Sequence, residues 1–136
     1  MDSISLKCGA ISYPSRVIQN PKGNILHGMK RSDIGFVDFG EAYFSMVSFG
    51  EIKGWKKHFR MSMNLLVPVG SVRFYLKTDD EDIEQIVLGE SNYRRLFVPP
   101  NIWMAFEGVG SSTNLLMNLA SIEHDPSESI TREFER

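Results

Sequence analysis

Apolar residues along the chain fall into short runs the length of strands. They are FSMVSF (Phe44 to Phe49), MNLLVPV (Met63 to Val69), VRFYL (Val72 to Leu76), IEQIVL (Ile83 to Leu88), RRLFVP (Arg94 to Pro99), IWMAFE (Ile102 to Glu107) and TNLLMNLA (Thr113 to Ala120). Between them stand PVGS, KTDDED, GESN, PPN and GVGSS, all turn or loop compositions. Many short strands at such spacing predict antiparallel sheets packed as a sandwich or barrel, because βα units would need long segments of helical period between strands. Gly70 after Pro68 and Val69 predicts a tight turn, and Pro99 with Pro100 predicts a strand end, since proline cannot donate to a central ladder. In VRFYLK the period of two puts Val72, Phe74 and Leu76 on one face and Arg73, Tyr75 and Lys77 on the other. KTDDED reads as an exposed hairpin loop. The best helical signal is the tail DPSESITREFER, with Asp125 to cap, Pro126 in the first turn and Glu128 three residues after the cap.

Composition narrows the function classes. A chain of 136 residues with 42% hydrophobic content supports one core, so residues 1–136 are read as a single domain. A net charge of −2 gives no basic footprint for nucleic acid, although KK and RR are local candidates for anion contacts. The one cysteine, Cys8, has no internal disulfide partner, and no Cys/His cluster has zinc-site spacing, so no metal and no cofactor is expected. The start MDSISLKCGAISYPSR lacks the basic and apolar blocks of a secretory leader, and no apolar run reaches the ~18 residues of a membrane span. The expectation is a soluble, cytoplasmic protein without a membrane association.

Candidate chemistry concentrates in KGWKKHFR, Lys53 to Arg60. As a strand, this segment puts Lys56, His58 and Arg60 on one face and Trp55, Lys57 and Phe59 on the other. A histidine in a cationic row suits acid or base work beside an anionic ligand, and the same pattern also suits a solvated edge strand guarded by lysines. His27 and His124 sit in turn and loop contexts. Phosphate loops, dinucleotide fingerprints, nucleophile elbows and paired catalytic carboxylates are absent from the sequence.

These segments resemble those of the cupin-type epimerases and ketoisomerases that act on dTDP-linked 4-keto-6-deoxy sugars. NPKGNI is similar to the D-x-R-G opening of that family, with Asn20 for the acid and Lys22 for the arginine. KGWKKHFRMSMNLLVPVGSVRFYL resembles the R-G-x-H-x-H-K segment of the ketoisomerases with the strand, glycine turn and strand that follow. LFVPPNIWMAF resembles Y-V-x-P-x-x-W-H-E-M, and LASIEHDPSE resembles the LASxxYDExD ending. The short chain and Gly54 four residues before His58 are nearer to the ketoisomerases than to the sister 3,5-epimerases. The chain departs from the pattern at three places: Lys56 stands for the first histidine of the pair, Met104 for the histidine after the tryptophan, and Met117 or Asn118 near the epimerase tyrosine.

The resemblance implies an all-β cupin or jelly-roll barrel, and acid/base enolisation of a nucleotide-linked 4-keto sugar in deoxysugar or surface-polysaccharide synthesis. It implies His58 as base with Lys56 as its partner, Tyr43, Arg60, Arg73 and Tyr75 as substrate-binding residues, and a homodimer. Loss of three expected acid/base groups keeps a second reading open, a catalytically silent relative that binds a sugar nucleotide or a partner enzyme.

Overall fold

The computed structural model describes residues 2–134. Thirteen strands appear among them in chain order: β1 (Ile4–Ser5), β2 (Ile11–Pro14), β3 (Val17–Ile18), β4 (Ile25–Leu26), β5 (Glu41–Met46), β6 (Ile52–His58), β7 (Met63–Val69), β8 (Ser71–Lys77), β9 (Glu84–Gly89), β10 (Arg94–Val98), β11 (Trp103–Gly108), β12 (Leu115–Ala120) and β13 (Ser129–Thr131). They form a sheet in the order β1-β2-β10-β7-β12-β5, a second in the order β13-β6-β11-β8-β9, and the small pair β3-β4. Every ladder between these strands is antiparallel. The all-β jelly-roll expectation therefore holds. Among the described residues, to 134, the capped tail forms one 3₁₀ turn, Pro126–Glu128, in which Asp125 accepts from the Ser127 N–H at 3.0 Å, and residues 135–136 of the expected helix lie outside the described residues.

Side-chain alternation decides which way each sheet faces. Leu65 and Val67 of β7, Val72, Phe74 and Leu76 of β8, Leu96 and Val98 of β10, and Leu116 and Ala120 of β12 meet between the two large sheets as the main core. β7 is apolar almost throughout because both its faces are covered: Asn64 and Leu66 point outward and are nonetheless buried. The cover there is the segment before β5, held by Asn64 Nδ2 donating to Gly35 O at 3.0 Å and by Arg95 donating to Ile34 O at 2.8 Å. Arg94 donates to the Asp2 and Ser12 carbonyls. The RR pair, expected to be open to an anion, is buried and ties the N-terminal third to the barrel.

A second apolar cluster lies on the outer face of the smaller sheet. Trp55, Tyr75, Trp103 and Ala105 form it, with Phe134 from the tail stacked on Trp55 at 5.3 Å between ring centroids. Cations cover these rings, with Lys57 and Arg132 over Trp103 and Lys77 over Trp55. The effect is to fasten the C-terminal segment along β6, where β13 pairs Ser129 with His58 and Thr131 with Lys56.

Candidate active site

The β6 strand delivers the site's chemistry to the inside of the barrel. Gly54, Lys56 and His58 line a cavity of about 300 Å³ between the two sheets, near the lower end of the range for small-molecule sites. Strict alternation would turn Lys53 away from them. It lines the same cavity because the β6–β11 register slips: Met104 pairs with Lys56 while Phe106 pairs with Lys53, so the ladder carries an extra residue on β6. Gly54 sits in that irregularity, where an added Cβ would lie 2.3 Å from the Ala105 Cβ. The facing wall comes from the larger sheet, with Tyr43 and Ser45 of β5, Met63 and Leu65 of β7, and Leu116 and Asn118 of β12.

His58 is buried at 7% exposure, and its Nδ1 meets Glu128 Oε1. The other carboxylate oxygen, Oε2, accepts from the backbone N–H of Arg60 at 3.0 Å and of Met61 at 3.2 Å. Burial pushes the Glu128 carboxyl up, but the bonds from His58, Arg60 and Met61 outweigh it and hold the group below the usual glutamate range. An ionised carboxylate accepts only, so Nδ1 carries a proton, and in the neutral ring Nε2 is the basic nitrogen. The ring is fixed further by its own backbone. His58 O accepts from Asn101 N at 2.7 Å, in the turn where Asn101 takes φ 71°, and Phe59 N donates to Glu128 O at 2.8 Å.

The structure brings together three of the residues singled out in the sequence. His58, Lys56 and Tyr43 line the cavity, Lys56 beside Met104 and Tyr43 on the opposite wall. The other three are elsewhere. Arg60, expected on the His58 face, lies beyond the end of β6 and pairs at the surface with Asp125 at 2.8 Å. Arg73 and Tyr75 occupy the outer face of the smaller sheet, where Arg73 pairs with Glu107 at 3.2 Å and the Tyr75 hydroxyl donates to the same carboxylate at 2.7 Å. Their alternation was legible; which face was the inside was the part that apolar Val72, Phe74 and Leu76 decide.

Glu128 is a functional candidate that the sequence did not mark, and Asn118 was marked only as a departure near the epimerase tyrosine. Glu128 carries a signal only as a helix-capping acid, and its partner lies 70 residues away. Asn118 is a polar residue on the inward row Leu116, Asn118, Ala120, with its Nδ2 donating to the Tyr43 hydroxyl at 2.9 Å. Among the described residues no three His, Cys, Asp or Glu side chains come together to hold a metal ion, and no helix is long and apolar enough to cross a membrane. Cys8 is buried, and burial first of all pushes its thiol up.

Comparison with known proteins agrees with this fold. The sequence profile of the FdtA family, described as WxcM-like, C-terminal, matches residues 11–135. A dTDP sugar isomerase from Desulfovibrio desulfuricans G20 superposes with a TM-score of 0.87 at 33% identity, over 92% of this chain and 84% of that one. The QdtA sugar 3,4-ketoisomerase of Thermoanaerobacterium thermosaccharolyticum, solved with TDP, shares the fold at a TM-score of 0.77 and 24% identity, over 89% and 86% of the two chains. A probable low-salt glycan biosynthesis epimerase, Agl13 of Haloferax volcanii, is 26% identical over 96 residues, which is 65% of this chain and 62% of that protein. The match thus spans less than two thirds of that curated relative.

Proposed function

From the premise that this chain belongs to the FdtA family, WxcM-like, C-terminal, we propose that it is an isomerase or epimerase of a dTDP-linked 4-keto-6-deoxyhexose in glycan biosynthesis. The observation that carries the reading is the buried His58–Glu128 pair set in the wall of an open cavity that lysines also line. A keto group acidifies the carbon next to it. His58 Nε2 removes that proton, and the Glu128 carboxylate holds the imidazole in the tautomer that can do so and then faces the imidazolium that forms. Lys56 supplies the positive charge for the enolate oxygen from the same strand face. Tyr43, from the facing sheet about 10 Å across, is the group placed to return a proton from the other side of the ring. The proton removed and the proton returned balance, so the step needs no external oxidant or reductant.

The same reading includes a cytoplasmic homodimer. Supporting a pairing of subunits, β5 ends its sheet with an unpaired edge and leaves Phe44 65% and Met46 69% exposed. A second reading is supported by Lys56 and Met104, which stand where the resemblance expects histidines: a silent relative that binds the sugar nucleotide without enolising it.

One experiment separates them. Proton NMR of dTDP-4-keto-6-deoxyglucose with the protein in deuterated water is expected to show loss of a ring-proton signal that His58→Ala abolishes, and the position lost tells ketoisomerase from epimerase. Saturable binding without exchange would replace the enzyme by the binder. Neither binding nor exchange would remove this substrate class.

A further inference from the structure

Asn118 has an unmet hydrogen bond. It is 2% exposed and lines the cavity, flanked on its own face by Leu116 and Ala120, and its Nδ2 donates to the Tyr43 hydroxyl at 2.9 Å. Its Oδ1 is the one buried side-chain polar atom without a partner among the described residues. A buried acceptor left unpaired costs on the order of 1–3 kcal/mol, whereas an apolar side chain of the same shape would cost little. The two neighbours on that row, Leu116 and Ala120, are apolar and buried. An asparagine kept between them destabilises the empty barrel unless something in the cavity meets it.

The hydrogen-bond inventory says what that something is. As placed, Oδ1 accepts only, so its partner in this orientation is a donor, which a keto oxygen or an ionised phosphate is not. With the amide turned over, Tyr43 would donate to Oδ1 and the NH₂ would be the unpaired group, a need that a hydroxyl also meets because it both donates and accepts. A sugar hydroxyl therefore fits either orientation. Tyr43, accepting from Nδ2, keeps its own proton for a ligand. We propose that Asn118 is a specificity-determining residue that binds a ring hydroxyl of the sugar and positions the Tyr43 hydroxyl as a donor beside it.

The division of the walls follows from this. Lys56 puts a donor on the β6 wall, where a keto or enolate oxygen is met, and Asn118 puts an acceptor on the β12 wall, where a hydroxyl is met. The sugar is thereby held in one orientation with its reacting carbon toward His58. This inference rests on the reading of the cavity as a sugar chamber.

The test is Asn118→Leu, which keeps the size and removes both polar atoms, assayed against dTDP-4-keto-6-deoxyglucose and against dTDP alone. The expected result is a melting temperature equal to or above that of the wild type, a KM for the keto sugar raised about tenfold or more, and an unchanged Kd for dTDP. A purely structural role would leave KM untouched. If the wild type exchanges the ring proton and Asn118→Leu does so with wild-type KM, a trapped water meets Oδ1 and the inference falls alone. If the wild type neither binds nor exchanges this sugar, the chamber reading falls and takes the inference with it. Should Asn118→Leu not fold, wild-type protein is titrated with dTDP-4-keto sugars lacking one ring hydroxyl at a time. One deletion is expected to weaken binding about tenfold or more, and equal binding of all of them would overturn the proposal.

Discussion

Replacing Glu128 by glutamine keeps the side chain's shape and removes its charge, so the consequence can be worked from three contacts. The carboxylate accepts from His58 Nδ1, from Arg60 N at 3.0 Å and from Met61 N at 3.2 Å. A carboxamide has one acceptor oxygen. If that oxygen keeps the two backbone N–H groups, its NH₂ faces Nδ1, and only an unprotonated Nδ1 can receive it. The imidazole proton is then forced onto Nε2, the atom that has to accept the substrate's proton. The opposite orientation sets an NH₂ against two buried N–H groups, at ~1–3 kcal/mol for each one left unpaired. The first orientation is therefore adopted, and turning two charge-assisted bonds into neutral ones, each about half as strong, costs roughly 1–2 kcal/mol. The melting temperature is expected to fall by about 3–10 °C, which leaves a folded protein to assay. Proton exchange into the keto sugar is expected to fall ~10²–10⁴-fold, the scale on which a misplaced tautomer and a lost general base are felt. Single-turnover NMR in deuterated water, with circular dichroism on the same sample, measures both. A folded Glu128→Gln protein that exchanges within about threefold of wild type would refute the tautomer argument and with it the role given to Glu128.

Two further outcomes follow from the same contacts. Because hydrogen bonds hold the Glu128 carboxyl below its unfolded value, the unfolded chain binds more protons in that range, and stability rises with pH there. The contribution is complete above the unfolded glutamate value of ~4.3 and is lost as pH falls through the lower folded value. Thermal melts from pH 7 to pH 3 are expected to show wild type and Glu128→Gln converging only in the acid part of that range, and a gap independent of pH would refute the assignment. Gly54→Ala would place a methyl 2.3 Å from the Ala105 Cβ across the β6–β11 ladder. The strands must part to admit it, at a cost on the order of 1–3 kcal/mol, and the site is expected to lose exchange activity together with a measurable drop in melting temperature. An unchanged melting temperature would mean that the β-bulge relaxes freely.

The fold was legible where local rules and global packing agree. Val72, Phe74 and Leu76 alternate cleanly because β8 has one face in the main core, and Gly70 marks the turn before it because its φ of 78° suits glycine. The short strands β1 to β4 were not legible, since two to four residues carry no period to read. Nor did the RR pair announce its role. A buried arginine and an open anion site look alike in one dimension, and only the carbonyls of Asp2, Ser12 and Ile34 tell them apart.

The site divides along the same line. Lys56 and His58 were found because a period of two holds along β6, and Arg60 was misplaced because the strand stops at His58. Lys53 was missed on the cavity side because a register slip, invisible in the sequence, turns it inward. What the sequence could not offer at all is the pairing of elements: Glu128 meets His58 from a tail that Phe134 on Trp55 and Arg132 on Trp103 fasten along β6. An outer aromatic face that takes no part in chemistry thus decides whether the inner histidine has its carboxylate. It follows that substitutions at Arg132 act on exchange through Glu128, and their effect is expected to disappear in a Glu128→Gln background, a double-mutant cycle in the same NMR assay.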